Sequence, residues 1–235
     1  MSQEHIFKQF DAELEHVRSR ILQMGGLVEE QINKAIKALT DGDLALADEV
    51  IASDFHINDL EIQIDEECTK IIALRQPTAG DLRMIMTVEK TITDLERIGD
   101  KAEKIARMAK KIYGADRIST PRFTEIKHMS DMVLEMLRAS LDAFARLDVS
   151  AATQLKRQDI KVDEEYDAVL RHLITFMMED PRMISTAIDI LFAAKAVERI
   201  GDHAKNIAGY VVYMAQGKVV RHASMEEMER KIGEL

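Results

Sequence analysis

The sequence predicts an all-α protein made of two pseudo-symmetric, antiparallel three-helix bundles, with six long helices in total. The first observation is a repeat, because the pentapeptide Glu-Arg-Ile-Gly-Asp occurs at residues 96–100 and again at residues 198–202. The second is that apolar residues recur at alternating steps of three and four, as on the buried face of a helix. The third is that only three prolines and ten glycines interrupt the 235 residues. Such a chain favours long helices joined by short turns.

The first three helices are predicted within residues 1–115. The first carries an apolar stripe that starts at Phe7 and ends before a turn at residues 40–43. The second ends at a turn of residues 76–81, and the third ends near Gly114. Because the connections are short, consecutive helices are expected to lie antiparallel and to form the first bundle.

The second bundle is predicted within residues 116–235. Its first helix begins at Thr120 and Pro121, a capping residue followed by proline at the first helical position. The next helix lies between turns at residues 147–150 and 180–181, and the last long helix ends at Gly217. A short C-terminal tail follows, with room for one further short helix.

The two halves are predicted to be copies of one duplicated unit. The similarity continues beyond the pentapeptide and also appears earlier in each half. Ala102, Ile105 and Ala106 recur as Ala204, Ile207 and Ala208, and Asp54, Ile57 and Asn58 correspond to Asp159, Val162 and Asp163.

Composition excludes several classes of protein. With 32 basic and 42 acidic residues the net charge is −10, which disfavours sequence-independent binding to nucleic acid or to anionic lipid. No uninterrupted apolar stretch approaches the ~18 residues that indicate a transmembrane helix, so no membrane insertion is expected. The single cysteine, Cys68, excludes an intrachain disulfide, fits a reducing cytoplasm and is interpreted as a core residue.

Pairs of acidic residues four positions apart are the main candidates for a functional site. Residues at this spacing share one helix face, where like charges are unfavourable unless something neutralises them. The pairs are Glu96 with Asp100, Glu198 with Asp202, Asp159 with Asp163, and Asp54 with the amide Asn58. Facing pairs from two helices would offer oxygen ligands to a hard divalent cation or to an iron or manganese cluster. The competing interpretation is a solvated acidic face, neutralised by the neighbouring Arg97, Lys101 and Lys104.

Other candidates for chemistry are weaker. Glu13 with His16 and Glu125 with His128 have the Glu-x-x-His spacing of di-iron bundles, but the two pairs fall in different halves. His203 is interpreted as a solvated surface residue, the alternative being a nitrogen ligand of the second acidic group. No phosphate-binding loop, nucleophile elbow or zinc-protease motif occurs, so the sequence favours a protein that is not an enzyme.

These features together resemble the PhoU family, which is associated with the phosphate-specific ABC transporter. The similarity covers essentially the whole chain. It is carried by residues 10–15, 75–83 and 176–180 and by both copies of Glu-Arg-Ile-Gly-Asp.

The resemblance implies a cytoplasmic, frequently homodimeric regulator that represses the phosphate-starvation response. Its implied partners are the cytoplasmic ATPase of the transporter and a membrane sensor histidine kinase. The implied metal ligands are the acidic pairs named above. The implied metal is iron, manganese, zinc or another divalent ion, and no organic cofactor is implied. Asn58 departs from the family's carboxylate pattern. Two other functions compete with the adaptor, namely a metal-storage or redox bundle and a purely structural scaffold.

Overall fold

The structure, a computed structural model, describes residues 3–114, 123–221 and 223–233, with side chains from Gln9 onward. Within these ranges every regular element is a helix, so the all-α prediction is confirmed. The helices are α1 (Gln3–Asp41), α2 (Leu44–Ser53), α3 (Phe55–Arg75), α4 (Ala79–Tyr113), α5 (Thr124–Arg146), α6 (Ala151–Glu179), α7 (Ile184–Gln216) and α8 (Met225–Gly233), with one 3₁₀ turn at Pro181–Met183. The predicted start of the second half at residue 116 and the cap at Thr120 and Pro121 lie outside the described residues.

The second predicted helix is divided into α2 and α3 at Asp54. The backbone of Asp54 remains right-handed, with φ −57° and ψ −35°. Its carbonyl oxygen lies 3.0 Å from the amide nitrogen of Ile57 but 3.4 Å from that of Asn58. The helix therefore tightens locally to a hydrogen bond between residues three positions apart, as in a 3₁₀ turn. No glycine or proline lies near Asp54 to predict this change from the sequence.

Two sets of helices form around the repeated segments. Helices α1, α2, α3 and α4 pack on one another, as do α5, α6 and α7. The repeated glycines allow close approach within each set. A Cβ atom at Gly99 would lie 3.1 Å from Cδ1 of Ile57, and one at Gly201 would lie 3.2 Å from Cγ1 of Val133.

Helices α4 and α7 join the two sets and run antiparallel to each other. Lys90 near the start of α4 lies 5.0 Å from the ring centre of Tyr213 near the end of α7. Further along α4, Lys104 lies 5.5 Å from the ring centre of Phe192 in the first part of α7. We call this contact between the two helices the seam.

A polar network is buried in the seam. Asp94 of α4 is 1% exposed. One of its carboxylate oxygens accepts a hydrogen bond of 2.7 Å from the hydroxyl of Tyr210, and the other lies 2.6 Å from Nδ1 of His203. The interpretation of His203 as a solvated surface residue was wrong, because its side chain is 13% exposed and contacts Asp94 across the seam.

Cys68 lies in the core, as predicted, and is fully buried. Burial raises the pKa of its thiol to about 12. We expect no measurable reaction of native protein with a thiol reagent at pH 8, because only the thiolate reacts. Complete labelling after unfolding in guanidinium is the control, and rapid labelling of the native protein would contradict the burial.

Within the described ranges, no helix combines the length and the hydropathy required to cross a bilayer.

Candidate functional site

The first acidic cluster forms where the break at Asp54 faces α4. Burial raises the pKa of Glu96, and the nearby charges of Asp100, Glu61 and Asp54 raise it further. Burial also raises the pKa of Asp54, against the opposing effect of hydrogen bonds from Gln31 and Asn58. The four predicted residues Asp54, Asn58, Glu96 and Asp100 therefore act on one another within one cluster.

Two further carboxylates belong to this cluster. The charge of Glu103, one turn beyond Asp100 on α4, raises the pKa of Asp54. Glu61 lies on α3, and its pKa is raised by burial, against a hydrogen bond from Thr93, and by the charges of Asp65 and Asp100. Glu103 forms an ion pair of 2.5 Å with Arg107, on the exposed side of the helix. The charge of Arg97 opposes the rise in the pKa of Glu96 and of Glu61, but it does not outweigh the effect of burial.

Gln31 of α1 contacts the first cluster from the protein core and was not predicted from the sequence. It is 4% exposed, and its Nε2 donates a hydrogen bond of 2.9 Å to Asp54. Its Oε1 is buried and has no hydrogen-bond partner among the described residues, and the same holds for Oδ1 of Asn58. A Cβ atom at Gly99 would lie 3.1 Å from that Oε1, so the orphaned oxygen abuts the repeated pentapeptide. The available signal was a polar residue in an apolar stripe that includes Val28 and Ala35.

The second acidic cluster contains an internal cation. The Nζ of Lys205 lies 2.5 Å from Asp159 on α6 and 2.9 Å from Asp202 on α7. Burial disfavours the charge of Lys205, but the hydrogen bonds from Nζ to both carboxylates outweigh this effect and raise its pKa. Burial opposes ionisation of Asp202 as well, yet its contacts with Lys205 and Arg199 lower its pKa overall. The ammonium group thus lies where a metal bridging the two helices would be placed.

The remaining two predicted residues also lie at the second cluster. Glu198 is buried and forms an ion pair of 2.8 Å with Lys195. The pKa of Asp163 is raised by burial and then by the charges of Asp159, Glu198 and Asp202. The structure therefore brings all four predicted carboxylates together, but with basic side chains among them.

One repeat position distinguishes the two clusters. Lys205 follows Asp202 by three residues, and Glu103 follows Asp100 by three residues. A cation in the second half therefore corresponds to an anion in the first. Asn58 makes the first cluster depart from the carboxylate pattern, but the contacts of Lys205 make the second cluster the neutralised one.

In the described parts of the chain, no three His, Cys, Asp or Glu side chains are already arranged as a metal-ligand set. The assignment of the eight residues as metal ligands accordingly stays a prediction.

The Glu-x-x-His pairs lie apart from both acidic clusters. Glu13 binds Arg75 through hydrogen bonds of 2.6 and 2.9 Å. Glu125 lies 3.1 Å from His172, and His128 is 3.9 Å from Glu165. The two pairs are held in separate sets of helices, as the sequence analysis expected.

Comparison with known proteins identifies the family. The PhoU domain model matches residues 21–109 and 126–211, and each match contains one copy of the pentapeptide. The phosphate-specific transport system accessory protein PhoU homolog of Pseudomonas aeruginosa is 48% identical over 97% of this chain and 94% of its own length. The accessory protein PhoU of Escherichia coli is 43% identical over 96% of this chain and 93% of its own.

Solved structures agree with this result. The crystal structure of PhoU from Pseudomonas aeruginosa matches with a TM-score of 0.85 and 49% identity, over 89% of this chain and all of that chain. The phosphate transport system regulatory protein PhoU from Streptococcus pneumoniae matches with a TM-score of 0.82 and 29% identity, over 90% of this chain and 99% of that chain. This chain therefore belongs to the PhoU family.

Proposed function

We propose that this protein is a cytoplasmic, non-enzymatic accessory protein of a phosphate-specific transport system. It represses the phosphate-starvation response as an adaptor between the cytoplasmic ATPase of the transporter and a sensor histidine kinase. The observation that carries the proposal is similarity to proteins named for this transport system over 97% of the chain. A homodimer is part of the proposal and is tested by light scattering.

Deletion of the gene tests the regulatory role. We expect phosphate-regulated genes to be expressed in phosphate-rich medium when the gene is absent, and repression to return when the wild-type gene is restored. Unchanged repression in the deletion strain would contradict the proposal. A changed metal content with normal phosphate regulation would instead favour a metal-storage bundle.

The first acidic cluster fits a bound cation. Asp54, Asn58, Glu96 and Asp100 supply oxygen donors of the kind that hard cations prefer. The buried oxygens of Gln31 and Asn58 supply neutral donors that have no hydrogen-bond partner among the described residues. A bound cation would neutralise the cluster and hold α3 against α4.

The second acidic cluster also contains a buried oxygen without a hydrogen-bond partner among the described residues, Oε2 of Glu198, but a cation already lies among its carboxylates. Lys205 already forms ion pairs with Asp159 and Asp202, and Arg199 lies 2.9 Å from Asp202. A metal would have to displace an ammonium group that is held by two carboxylates. We therefore propose that metal binding, where it contributes to signalling, takes place in the first half.

A further inference from the structure

A groove lined by basic residues runs along the seam. It has a volume of about 480 Å³. The six basic residues that line it are Arg97, Lys101 and Lys104 of α4 and Lys195, Arg199 and His203 of α7, and the remaining lining residue is Ala196. We call this the basic groove. Its charge is opposite to that of the whole chain, which has a net charge of −10.

The duplication explains how the basic groove arises. Arg97 and Arg199 occupy the same position in the two copies of the pentapeptide, and Lys101 corresponds to His203. Successive residues of a helix point about 100° apart, so the arginine projects in a different direction from the glutamate before it. The acidic residues of each copy face the second helix of their own half, and both arginines face the seam.

The basic groove carries more positive charge than its surroundings neutralise. Three of the six basic residues have a carboxylate partner, because Lys195 lies 2.8 Å from Glu198, Arg199 lies 2.9 Å from Asp202 and His203 lies 2.6 Å from Asp94. The other three, Arg97, Lys101 and Lys104, form no ion pair with a described residue, although the charge of Arg97 acts at longer range on Glu96 and Glu61. Three like charges held along one helix repel each other, and an anion placed between them removes that repulsion.

We propose that the basic groove binds a small anion that carries several phosphoryl groups, such as pyrophosphate or the phosphate chain of a nucleotide. Guanidinium groups match pairs of phosphate oxygens with two parallel hydrogen bonds, and Arg97 forms no ion pair with a described residue, whereas Arg199 on the opposite side already pairs with Asp202. The volume falls within the range of small-ligand sites, about 300–1,000 Å³. A stable protein partner would instead cover about 800 Å² of surface, far beyond these seven residues.

Calorimetric titration of the full-length, metal-free protein tests this proposal in 150 mM KCl. The titrants are pyrophosphate, ATP, inorganic phosphate and adenosine. We expect one pyrophosphate per chain and equal affinity for ATP, since the phosphoryl chain is the common element. Inorganic phosphate should bind at least tenfold more weakly, and adenosine should not bind.

A double variant and a charge-matched control locate the site. Arg97→Gln with Lys101→Gln removes two cations that lack an ion pair, so circular dichroism should show an unchanged fold. We expect at least tenfold weaker binding of pyrophosphate. Lys111→Gln with Lys127→Gln removes two exposed lysines outside the groove and should leave the affinity unchanged.

Three results would overturn the proposal. The first is that pyrophosphate shows no saturable binding to the wild-type protein. The second is an equal loss of affinity in both double variants, which would indicate a general charge effect. The third is that adenosine binds as tightly as ATP. The proposal does not depend on the adaptor function, because the titration needs neither the ATPase nor the kinase.

Discussion

Charge reversal at Glu103 is expected to remove metal binding from the first half, and charge reversal at Lys205 is expected to add it to the second half. In Glu103→Lys, an ammonium group enters the first acidic cluster where Lys205 lies in the second, and metal binding to the first half should be lost. In Lys205→Glu, the second cluster loses its internal cation and should bind a metal. Without metal, Lys205→Glu should lose about 3 kcal/mol of unfolding free energy, at the low end for broken buried pairs because Lys205 is 26% exposed.

Elemental analysis and thermal unfolding with Mn²⁺ measure both effects. We expect one bound metal per wild-type chain, none in Glu103→Lys and two in Lys205→Glu. At a hundred times its Kd, a cation that binds only the folded state adds about 2.7 kcal/mol. Glu66→Lys and Lys161→Glu make the same charge changes at exposed positions and should behave as wild type. Equal metal content in both cluster variants would refute the assignment.

Replacing Asp94 with alanine is expected to destabilise the protein by roughly 2–5 kcal/mol. The change removes the acceptor of the Tyr210 hydroxyl and the carboxylate that contacts His203 in the seam. Each buried polar group left without a partner costs about 1–3 kcal/mol. The substitution should weaken mainly the packing between the two sets of helices, because Asp94 lies on α4 and its two partners lie on α7.

Chemical unfolding in urea measures this effect. Tyr210→Phe removes the hydroxyl and leaves one buried oxygen of Asp94 without its donor, so it should cost about 1–3 kcal/mol. The double variant should lose less than the sum of the two single variants, because both remove the same hydrogen bond. Asp167→Ala, at an exposed position of α6, is the control. A change below 1 kcal/mol for Asp94→Ala would show that the buried network does not stabilise the seam.

Much of the fold follows from local sequence. Helix length and apolar spacing are properties of neighbouring residues, and Gly217 ends α7 in the left-handed conformation, with φ 70°, that glycine adopts readily. The break at Asp54 was not predicted. It accompanies a long-range hydrogen bond from Gln31, which no local pattern of α2 or α3 contains.

The eight predicted residues meet in two clusters, four in each half, but the electrostatic state of the clusters was not predictable. The repeat placed Asp54, Asn58, Glu96 and Asp100 in equivalent positions to Asp159, Asp163, Glu198 and Asp202. Whether a neighbouring cation reaches the carboxylates depends on side-chain geometry across two helices. The aligned repeats show that Lys205 occupies the position of Glu103. Only the contacts of Lys205 Nζ with Asp159 and Asp202 show that this lysine neutralises the second cluster. Asp94 and His203 meet only because α4 packs on α7, so their contact had no local sequence signal.

The most direct test of the adaptor function is a binding measurement with both proposed partners. Purified chain is mixed with the transporter ATPase and the cytoplasmic part of the sensor kinase, and the masses of the complexes are measured by light scattering. The account predicts a complex that contains all three proteins and that does not form when this chain is omitted. Binding to neither partner, with folded protein and with metal supplied, would contradict it.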